Sequence, residues 1–185
     1  MREAVEGDAA FKIAFREFKI EVGADRVILD NETVLISKDL AKHLSGCVRC
    51  LLLAATLGHN VDNALRRKQA EGKMADAYLY DLHAGYLLEQ KLDDFMTEYV
   101  LEKEKALKEE SSCFKMTTRF SPGFGDFDLS YQPTLLYLVK AEKNAGIGLT
   151  DRYLLVPQKS VSAVIGIGGE GVESGKVCCG KCGKQ

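Results

Sequence analysis

Cys47-Val48-Arg49-Cys50-Leu51-Leu52-Leu53-Ala54-Ala55-Thr56-Leu57-Gly58 contains the longest apolar run of this 185-residue chain. Glycines stand at positions 46 and 58, and the residues between Leu51 and Leu57 are almost all aliphatic. A short apolar run between turn residues is typical of a strand buried on both faces, although periodicity alone does not distinguish it from a buried helix. We interpret the segment as a buried strand.

Shorter strand patterns precede this run. The segments 26–30 and 33–36 are rich in Val, Ile and Leu and flank Asn31-Glu32, which predicts two strands joined by a turn. Residues 9–22 mix apolar and charged side chains at spacings that fit a helix or a strand. The pattern leaves both possibilities open there.

Helical patterns dominate the middle of the chain. Ser37 can cap a short helix over 38–44, and Gly46 can end it. The segment 59–72 is predicted to be helical. Residues 74–108 are predicted to form one long helix with at most one break, since Tyr, Phe and Leu recur there at three- and four-residue steps.

Strand patterns return in the last third of the chain. Side chains alternate over 111–120, which predicts a strand. Its two predicted faces are Cys113, Lys115, Thr117 and Arg119 on one side and Phe114, Met116 and Thr118 on the other. The elements predicted after it are a helix over 133–143, closed by Gly146 and Gly148, and strands over 153–156 and 161–167.

This order of elements, strands then helices then strands, favours an α+β fold over an alternating parallel fold. We expect a single domain with a central antiparallel twisted sheet and flanking helices, one of them long. The domain is predicted to cover residues 1–168. Residues 169–185 form a tail rich in Gly, Cys and Lys.

Composition restricts the class of function. Hydrophobic residues make up 46% of the chain, and the formal net charge is −2, without the basic surface that would neutralise a phosphate backbone. The first residues lack the apolar segment of a signal peptide, and the run at 51–57 is too short to span a bilayer. We therefore expect a cytoplasmic protein that binds neither nucleic acid nor membrane.

The loop Arg119-Phe120-Ser121-Pro122-Gly123-Phe124-Gly125 has the composition of a binding site. The guanidinium of Arg119 suits bidentate capture of a carboxylate or phosphate. Gly123 and Gly125 allow close approach of the backbone to a ligand, and Phe124 can offer an apolar face to a flat ring. A tight surface turn without a ligand has the same composition, so the residues alone leave both alternatives open.

A wider pattern accompanies this loop. The loop is followed by a helical segment, then Gly146-Ile147-Gly148-Leu149-Thr150, then Lys159-Ser160-Val161-Ser162-Ala163. In order and spacing, residues 111–167 resemble the activation domain of cobalamin-dependent methionine synthase. That family has an Arg-x-x-x-Gly-Tyr motif, a helix, an Ile-x-Leu-Thr segment and a Ser-Val-Ser strand. Here Phe124 stands where the family has Tyr.

The resemblance implies a free-standing domain that binds S-adenosylmethionine in a shallow groove. It implies a role in methionine biosynthesis, as a component of a methyltransferase that supports reductive methylation of cobalamin in trans. The cobalamin would be presented by a separate methionine synthase module, and an electron would come from a donor protein. The cofactor-binding residues implied in this way are Arg119, Ser121, Gly123 and Phe124 of the loop, and Ala163, Val164 and Ile165 after the Ser-Val-Ser strand.

Other residues carry weaker functional patterns. Cys178, Cys179 and Cys182 have a spacing that could hold zinc or an iron–sulfur cluster, but they supply only three ligands, and a tail of free thiols is the alternative. Cys47 and Cys50 are expected to be core thiols on opposite sides of a strand. The three scattered histidines are interpreted as structural residues. Asp126 and Asp128 could bind a cation or contact a charged partner, and the alternative is that they cap a helix and solvate the loop.

Two other functions remain open from the sequence. One is an independent S-adenosylmethionine-dependent methyltransferase that acts on a small molecule. The other is a metal or redox interaction protein that uses the cysteine-rich tail. Turnover without a corrinoid protein would indicate the first, and metal content in the purified protein would indicate the second.

Overall fold

A computed structural model describes residues 1–106 and 115–168 of the chain. Within these residues it contains helices, strands and one 3-10 turn. In chain order the elements are α1 (Arg2–Asp8), β1 (Lys12–Val22), β2 (Arg26–Leu29), β3 (Thr33–Ile36), α2 (Lys38–His43), β4 (Cys47–Thr56), α3 (His59–Ala70), α4 (Met74–Ala106), β5 (Lys115–Met116), the 3-10 turn (Leu129–Tyr131), α5 (Gln132–Val139), α6 (Ala141–Ala145), β6 (Gly148–Leu149), β7 (Leu155–Val156) and β8 (Ser160–Gly168).

Six strands form one antiparallel sheet in the order β3-β2-β1-β4-β8-β5, and β6 and β7 form a separate hairpin. β4 lies inside the sheet. Ile13 of β1 pairs with Ala55 on one side of it, and Ala163 of β8 pairs with Leu53 on the other. Side chains 50–57 are all buried. The buried strand predicted from the apolar run is therefore confirmed.

Helices cover both faces of this sheet. On one face, Leu53 of β4 and Ile165 of β8 belong to a core built with α1, α3 and α4. On the other face, Leu52 and Val164 belong to a core built with α2, α5 and α6. Successive strand residues point to opposite faces, so the continuous apolar sequence of β4 fills both cores at once. The predicted α+β single domain with an antiparallel sheet is confirmed.

α4 is a continuous helix of 33 residues, and at 1.5 Å per residue it is about 50 Å long. Its buried side chains, including Tyr80, Leu92 and Met96, join the core on its side of the sheet. The long predicted helix is thus observed as far as Ala106, and residues 107 and 108 lie outside the described residues. No helix in the described ranges is long and apolar enough to cross a membrane.

The segment 9–22, which the sequence left undecided, contains β1. Its apolar residues do not follow a simple alternation. The reason is that both faces of β1 contact other residues. Phe18 is buried in the core with α2, α5 and α6, whereas Phe15 packs on α4, with its ring 5.0 Å from Phe95 and 6.1 Å from Tyr99. Contact on both faces removes the period-two signal on which a strand prediction depends.

The strand predicted over 111–120 is shorter in the structure, and residues 111–114 lie outside the described residues. Lys115 and Met116 form β5, and Phe120 makes an isolated bridge to Val164. Between them the alternation fails. Met116 is buried in the core with α4, and Arg119 also reaches α4. The prediction that these two residues face opposite sides was therefore wrong, because the strand is interrupted between them.

Two further predictions required correction. The helix over 133–143 is divided at Lys140, whose φ of 53° lies in the left-handed region, so that α5 ends and α6 begins there. The strand over 153–156 is reduced to Leu155–Val156, because Tyr153 has a φ of 62° and lies in a turn in which its amide donates to Thr150. Neither interruption has a Gly or Pro signal at its position.

Cys47 and Cys50 both lie in the core with α2, α5 and α6. The expectation that they face opposite sides of the strand was wrong, because the register between β4 and β8 shifts between Cys47 and Arg49. This irregularity adds a residue to one strand and turns Cys47 to the side of Cys50. Both thiols are core residues, as expected.

Candidate functional site

The loop 119–128 is fixed to the start of α2 by two carboxylates. Asp126 accepts hydrogen bonds from the Ser37 hydroxyl and from the backbone amides of Lys38 (2.9 Å) and Asp39 (3.1 Å). In return, Asp39 accepts a hydrogen bond of 3.1 Å from the amide of Asp126. These bonds lower the pKa of the Asp126 carboxyl, and the largest contribution comes from Ser37. Asp126 thus serves as a helix cap, which is the structural alternative that the sequence allowed for it.

The turn inside this loop depends on its glycines. Gly123 has a φ of 95°, and Gly125 has a φ of 53°. A Cβ atom on Gly125 would lie 2.1 Å from Oδ2 of Asp39, so a side chain there would break the contact that holds the loop. The amide of Gly123 donates to the carbonyl of Phe127, and the amide of Phe124 donates to Ser121. The loop is therefore an ordered turn whose backbone shape requires glycine.

Arg119 extends from this loop toward α4. Its Nη1 donates to Oδ1 of Asp93 at 3.0 Å, and its Nη2 donates to Glu89. The Arg119 side chain is 25% exposed, whereas Glu89 and Asp93 are 57% and 70% exposed. The two carboxylates lie one helical turn apart on α4. The result is a compact surface cluster with one cation and two anions.

Aromatic residues occupy the other side of the loop. Phe120 contacts the His43 ring at a centroid distance of 4.9 Å, and it also contacts Phe124 and Phe127. Phe127 is fully buried and Phe124 is 57% exposed. His43 also lies 2.8 Å from the Thr118 carbonyl through its Nε2, so it has the structural role expected for it. The exposed ring of Phe124 is thus held on a packed aromatic base.

The predicted residues of β8 occupy a different environment. Ala163, Val164 and Ile165 have fully buried side chains, so in this structure they present no side-chain surface to a ligand. Their link to the loop is through the backbone, since Val164 and Phe120 exchange hydrogen bonds of 2.8 and 2.9 Å. The structure therefore brings Arg119, Ser121, Gly123 and Phe124 together in one loop, and it pairs the start of that loop with β8 at Val164.

The predicted metal ligands Cys178, Cys179 and Cys182 lie outside the described residues. In residues 1–106 and 115–168, no group of three or more His, Cys, Asp or Glu side chains is arranged to hold a metal ion. Burial raises the pKa of Cys47 to about 11 and that of Cys50 to about 12. These two thiols are therefore protonated at neutral pH, which makes them poor metal ligands and poor nucleophiles.

Glu89, Asp93 and Asp39 complete the candidate site, and sequence analysis did not identify them. Glu89 and Asp93 appeared only as charges on an exposed helix face, 30 and 26 residues before Arg119. Their four-residue spacing was visible in the sequence. What the sequence lacked was the packing of α4 beside the loop, which brings them to the guanidinium.

A solved structure shares this architecture. The chain matches the "Crystal Structure of the MetH Reactivation Domain bound to AdoHcy" with a TM-score of 0.63, over 94% of the chain and at 16% sequence identity. The chain has the fold of the MetH reactivation domain. It spans 62% of that neighbour's length. No family model matches the sequence, and no curated protein matches it.

The match to the MetH reactivation domain confirms, at the level of fold, the resemblance that residues 111–167 suggested. It also extends that resemblance, because the structural match covers 94% of the chain, whereas the resemblance in sequence covers residues 111–167. At this sequence identity the match concerns the fold alone. The ligand and partners of the present chain are therefore matters for proposal.

Proposed function

We propose that this chain binds S-adenosylmethionine at the motif loop. The observation that carries the proposal is the cluster of Arg119 with Glu89 and Asp93, next to a glycine-dependent loop, in the fold of a domain whose crystal structure contains AdoHcy. AdoHcy is the product that S-adenosylmethionine leaves after methyl transfer. The two molecules have the same amino-acid end and the same adenosyl end.

The chemistry of the cluster suits the amino-acid end of this ligand. Its carboxylate pairs with Arg119, whose planar fork accepts two oxygens side by side. Its ammonium and the sulfonium of S-adenosylmethionine are cations, and Glu89 and Asp93 supply the negative charge next to them. Since the carboxylates are more exposed than Arg119, they can exchange their guanidinium contacts for a ligand without unfolding of the helix.

The loop suits the adenosyl end. Phe124 exposes more than half of its surface and is held in place by Phe120. A purine ring can pack on this face, with an offset or edge contact of the kind that aromatic rings prefer. Gly123 allows the ligand to approach the backbone closely. Ser121 lies between Arg119 and Phe124 in the sequence and supplies a hydroxyl.

Calorimetric titration tests this binding. We expect saturable binding of both S-adenosylmethionine and AdoHcy by the unmodified chain. Arg119→Ala should weaken it by roughly 1.5–3 kcal/mol, about 10- to 150-fold, because it removes a charged hydrogen-bonding partner. Arg26→Ala is the matched control, since Arg26 also pairs with an aspartate but lies on β2, toward the other edge of the sheet. Absence of saturable binding, or equal affinity in Arg119→Ala, contradicts the proposal.

We further propose that the bound ligand is the methyl donor for a corrinoid carried by a separate protein. In this role an electron donor protein supplies one electron to the oxidised cobalamin. The methyl group then passes from S-adenosylmethionine to the corrinoid, which leaves AdoHcy. The chain's own residues hold and orient the donor. The exposed ring of Phe124 places the loop within reach of a second protein.

Reconstitution tests this second step separately from binding. The chain is mixed with a purified cobalamin-loaded methionine synthase module, a reductant and S-adenosylmethionine, and the absorbance of methylcobalamin is followed. We expect methylation to depend on the chain and to be lost with Arg119→Ala but not with Arg26→Ala. If the chain binds the ligand but does not change the methylation rate, the role in trans is wrong while the binding site stands.

A further inference from the structure

An open cavity of about 520 Å³ lies between α5, α6 and β6, and Arg16 of β1 also lines it. We call it the α5–α6 cavity. Its volume is within the range of small-molecule sites. None of its described lining residues belongs to the loop 119–128. The α5–α6 cavity is therefore separate from the site proposed for S-adenosylmethionine.

Aliphatic side chains form much of the wall of this cavity. Leu136 and Ile147 are buried members of the core with α2, α5 and α6, and Leu149 is partly buried against the same core. The described lining residues include no Ser, Thr, Asn or Gln. A nucleobase or a sugar would therefore find few partners for its polar groups, and unpaired polar groups cost free energy. The wall thus favours a ligand with an aliphatic body.

The charged residues of the cavity are mainly cations. Arg16, Lys140 and Lys143 line it, and Glu142 is the one carboxylate among its described lining residues. Three cations against one anion leave a formal charge of +2, although the whole chain carries −2. Within residues 1–106 and 115–168, none of the three cations forms an ion pair with a carboxylate. Cations that are gathered in a concave surface without counter-ions attract an anionic ligand.

Arg16 is held in position by an aromatic ring. Its Cζ lies 4.7 Å from the centre of the Phe18 ring, which is a cation–π distance. Phe18 is itself buried in the core with α2, α5 and α6. The planar guanidinium can donate two parallel hydrogen bonds to a carboxylate. Because the ring already restricts this arginine, ligand binding costs less side-chain entropy than it would at a free surface arginine.

We propose that the α5–α6 cavity binds a small organic acid with an aliphatic body. The carboxylate of the acid pairs with the guanidinium of Arg16, and its chain packs on Leu136, Ile147 and Leu149. Lys140 and Lys143 add positive charge to the same cavity. The combination of an aliphatic wall with unpaired cations carries this proposal. It does not depend on the binding of S-adenosylmethionine.

Calorimetric titration of the full chain with octanoate tests the class of ligand. We expect saturable binding with a dissociation constant below about 1 mM. Acetate has the same head without the aliphatic body, and octylammonium has the same body with the opposite charge. Each should bind about tenfold more weakly than octanoate, or not at all. Absence of saturable octanoate binding, or equal affinity for octanoate and octylammonium, overturns the proposal.

Two variants test whether octanoate binds in this cavity. Arg16→Ala should weaken binding about tenfold or more, because it removes the charged partner of the carboxylate, whereas Arg26→Ala on β2 should not. Gly148→Leu should also weaken binding about tenfold or more by filling the cavity. A Cβ at Gly148 meets no atom within 4 Å, and the same is true of Gly85 on α4, so Gly85→Leu is its matched control. Thermal melts verify that the variants are folded, and unchanged octanoate affinity in both Arg16→Ala and Gly148→Leu rules out the cavity.

A lipid could also supply an anionic head with an aliphatic chain, and sedimentation with vesicles of phosphatidylglycerol distinguishes the two sources. We expect the chain to remain in the supernatant, because a lipid would have to leave the bilayer to place its head beside Arg16 and its chain in the cavity. Sedimentation with the vesicles that is lost in Arg16→Ala would overturn the assignment to a free acid and would assign the cavity to a membrane lipid.

Discussion

At the scale of single residues, Gly166 shows how closely the sheet packs beside the candidate site. A Cβ atom at this position would lie 2.4 Å from Sγ of Cys47 and 2.9 Å from Cδ2 of Leu44. Both backbone polar groups of Gly166 are hydrogen-bonded to Thr117. The Gly166 amide donates to the Thr117 hydroxyl, and the Gly166 carbonyl accepts from the Thr117 amide. Glycine is required here for space.

We predict that Gly166→Ala lowers the free energy of unfolding by about 1–3 kcal/mol, because the added methyl group overpacks a filled core. Urea denaturation measures the change. Gly148→Ala is the control, since a Cβ at Gly148 meets no atom within 4 Å. Equal stability of the two variants would show that Cys47 and Leu44 move easily to make room for a side chain at position 166.

The residues of the candidate site differ in how far their role could be predicted from the sequence. Arg119, Gly123 and Phe124 could be selected from the sequence because Arg, Gly and Phe in one short loop carry recognisable chemistry. Glu89 and Asp93 could not, because an exposed carboxylate on a helix has no local signal that distinguishes it from a solvated charge. Their role depends on which strand packs beside α4, and that is a property of the tertiary structure.

At the scale of elements, α2 is capped from two directions. Ser37 accepts a hydrogen bond of 2.9 Å from the Leu40 amide, as its sequence position predicts. Asp126 accepts hydrogen bonds from the amides of Lys38 and Asp39. A helix of six residues has little stability of its own. Its position therefore depends on these caps, and through them the candidate loop and α2 hold each other in place.

This cap predicts a dependence of stability on pH. The pKa of Asp126 is lower in the folded chain than its ordinary value of 3.8, mainly through the Ser37 hydroxyl and the Lys38 amide. Its carboxylate therefore stabilises the fold above the unfolded-state pKa. That contribution is lost as the pH falls through the lowered folded-state pKa.

We expect Asp126→Asn to lower the urea midpoint at pH 7 and to flatten its decline under acidic conditions. Asp151→Asn, at an exposed turn position, serves as the control and should behave like the unmodified chain. A decline in Asp126→Asn as steep as that of the unmodified chain would assign the acid sensitivity to other carboxyls.

The elements were predictable where a local signal coincides with the structure. The turn between β2 and β3, the Ser37 cap and the buried run of β4 are signals of this kind. β1 was left undecided because contacts on both faces remove its alternation. The division between α5 and α6 at Lys140 was missed, since a lysine in the left-handed region has no sequence signature and is maintained by the surrounding packing.

At the scale of the whole molecule, β8 connects the parts of the domain. It pairs with β4 along nine registered positions on one side and with β5 on the other. Val164 belongs to one core, and Ala163, Ile165 and Ile167 belong to the other. Removal of this strand exposes one side of β4 and opens both cores.

We predict that a chain ending at Lys159 does not fold, whereas a chain ending at Gly168 keeps the cooperative thermal transition of the full protein. Circular dichroism during heating distinguishes the two. The second chain also tests the predicted domain boundary at residue 168. Loss of the transition in that chain would place residues beyond 168 within the folded unit.

The late position of β8 has a consequence for synthesis. A ribosome releases the chain from the N-terminus, and β1 to β4 emerge more than a hundred residues before the strand that completes their sheet. During that interval the outer edge of β4 is unpaired and two apolar surfaces are open to other nascent chains. Efficient production of this protein should therefore depend on chaperones that hold the unfinished chain. It should also require that the ribosome translates the region between α3 and β8 without long pauses.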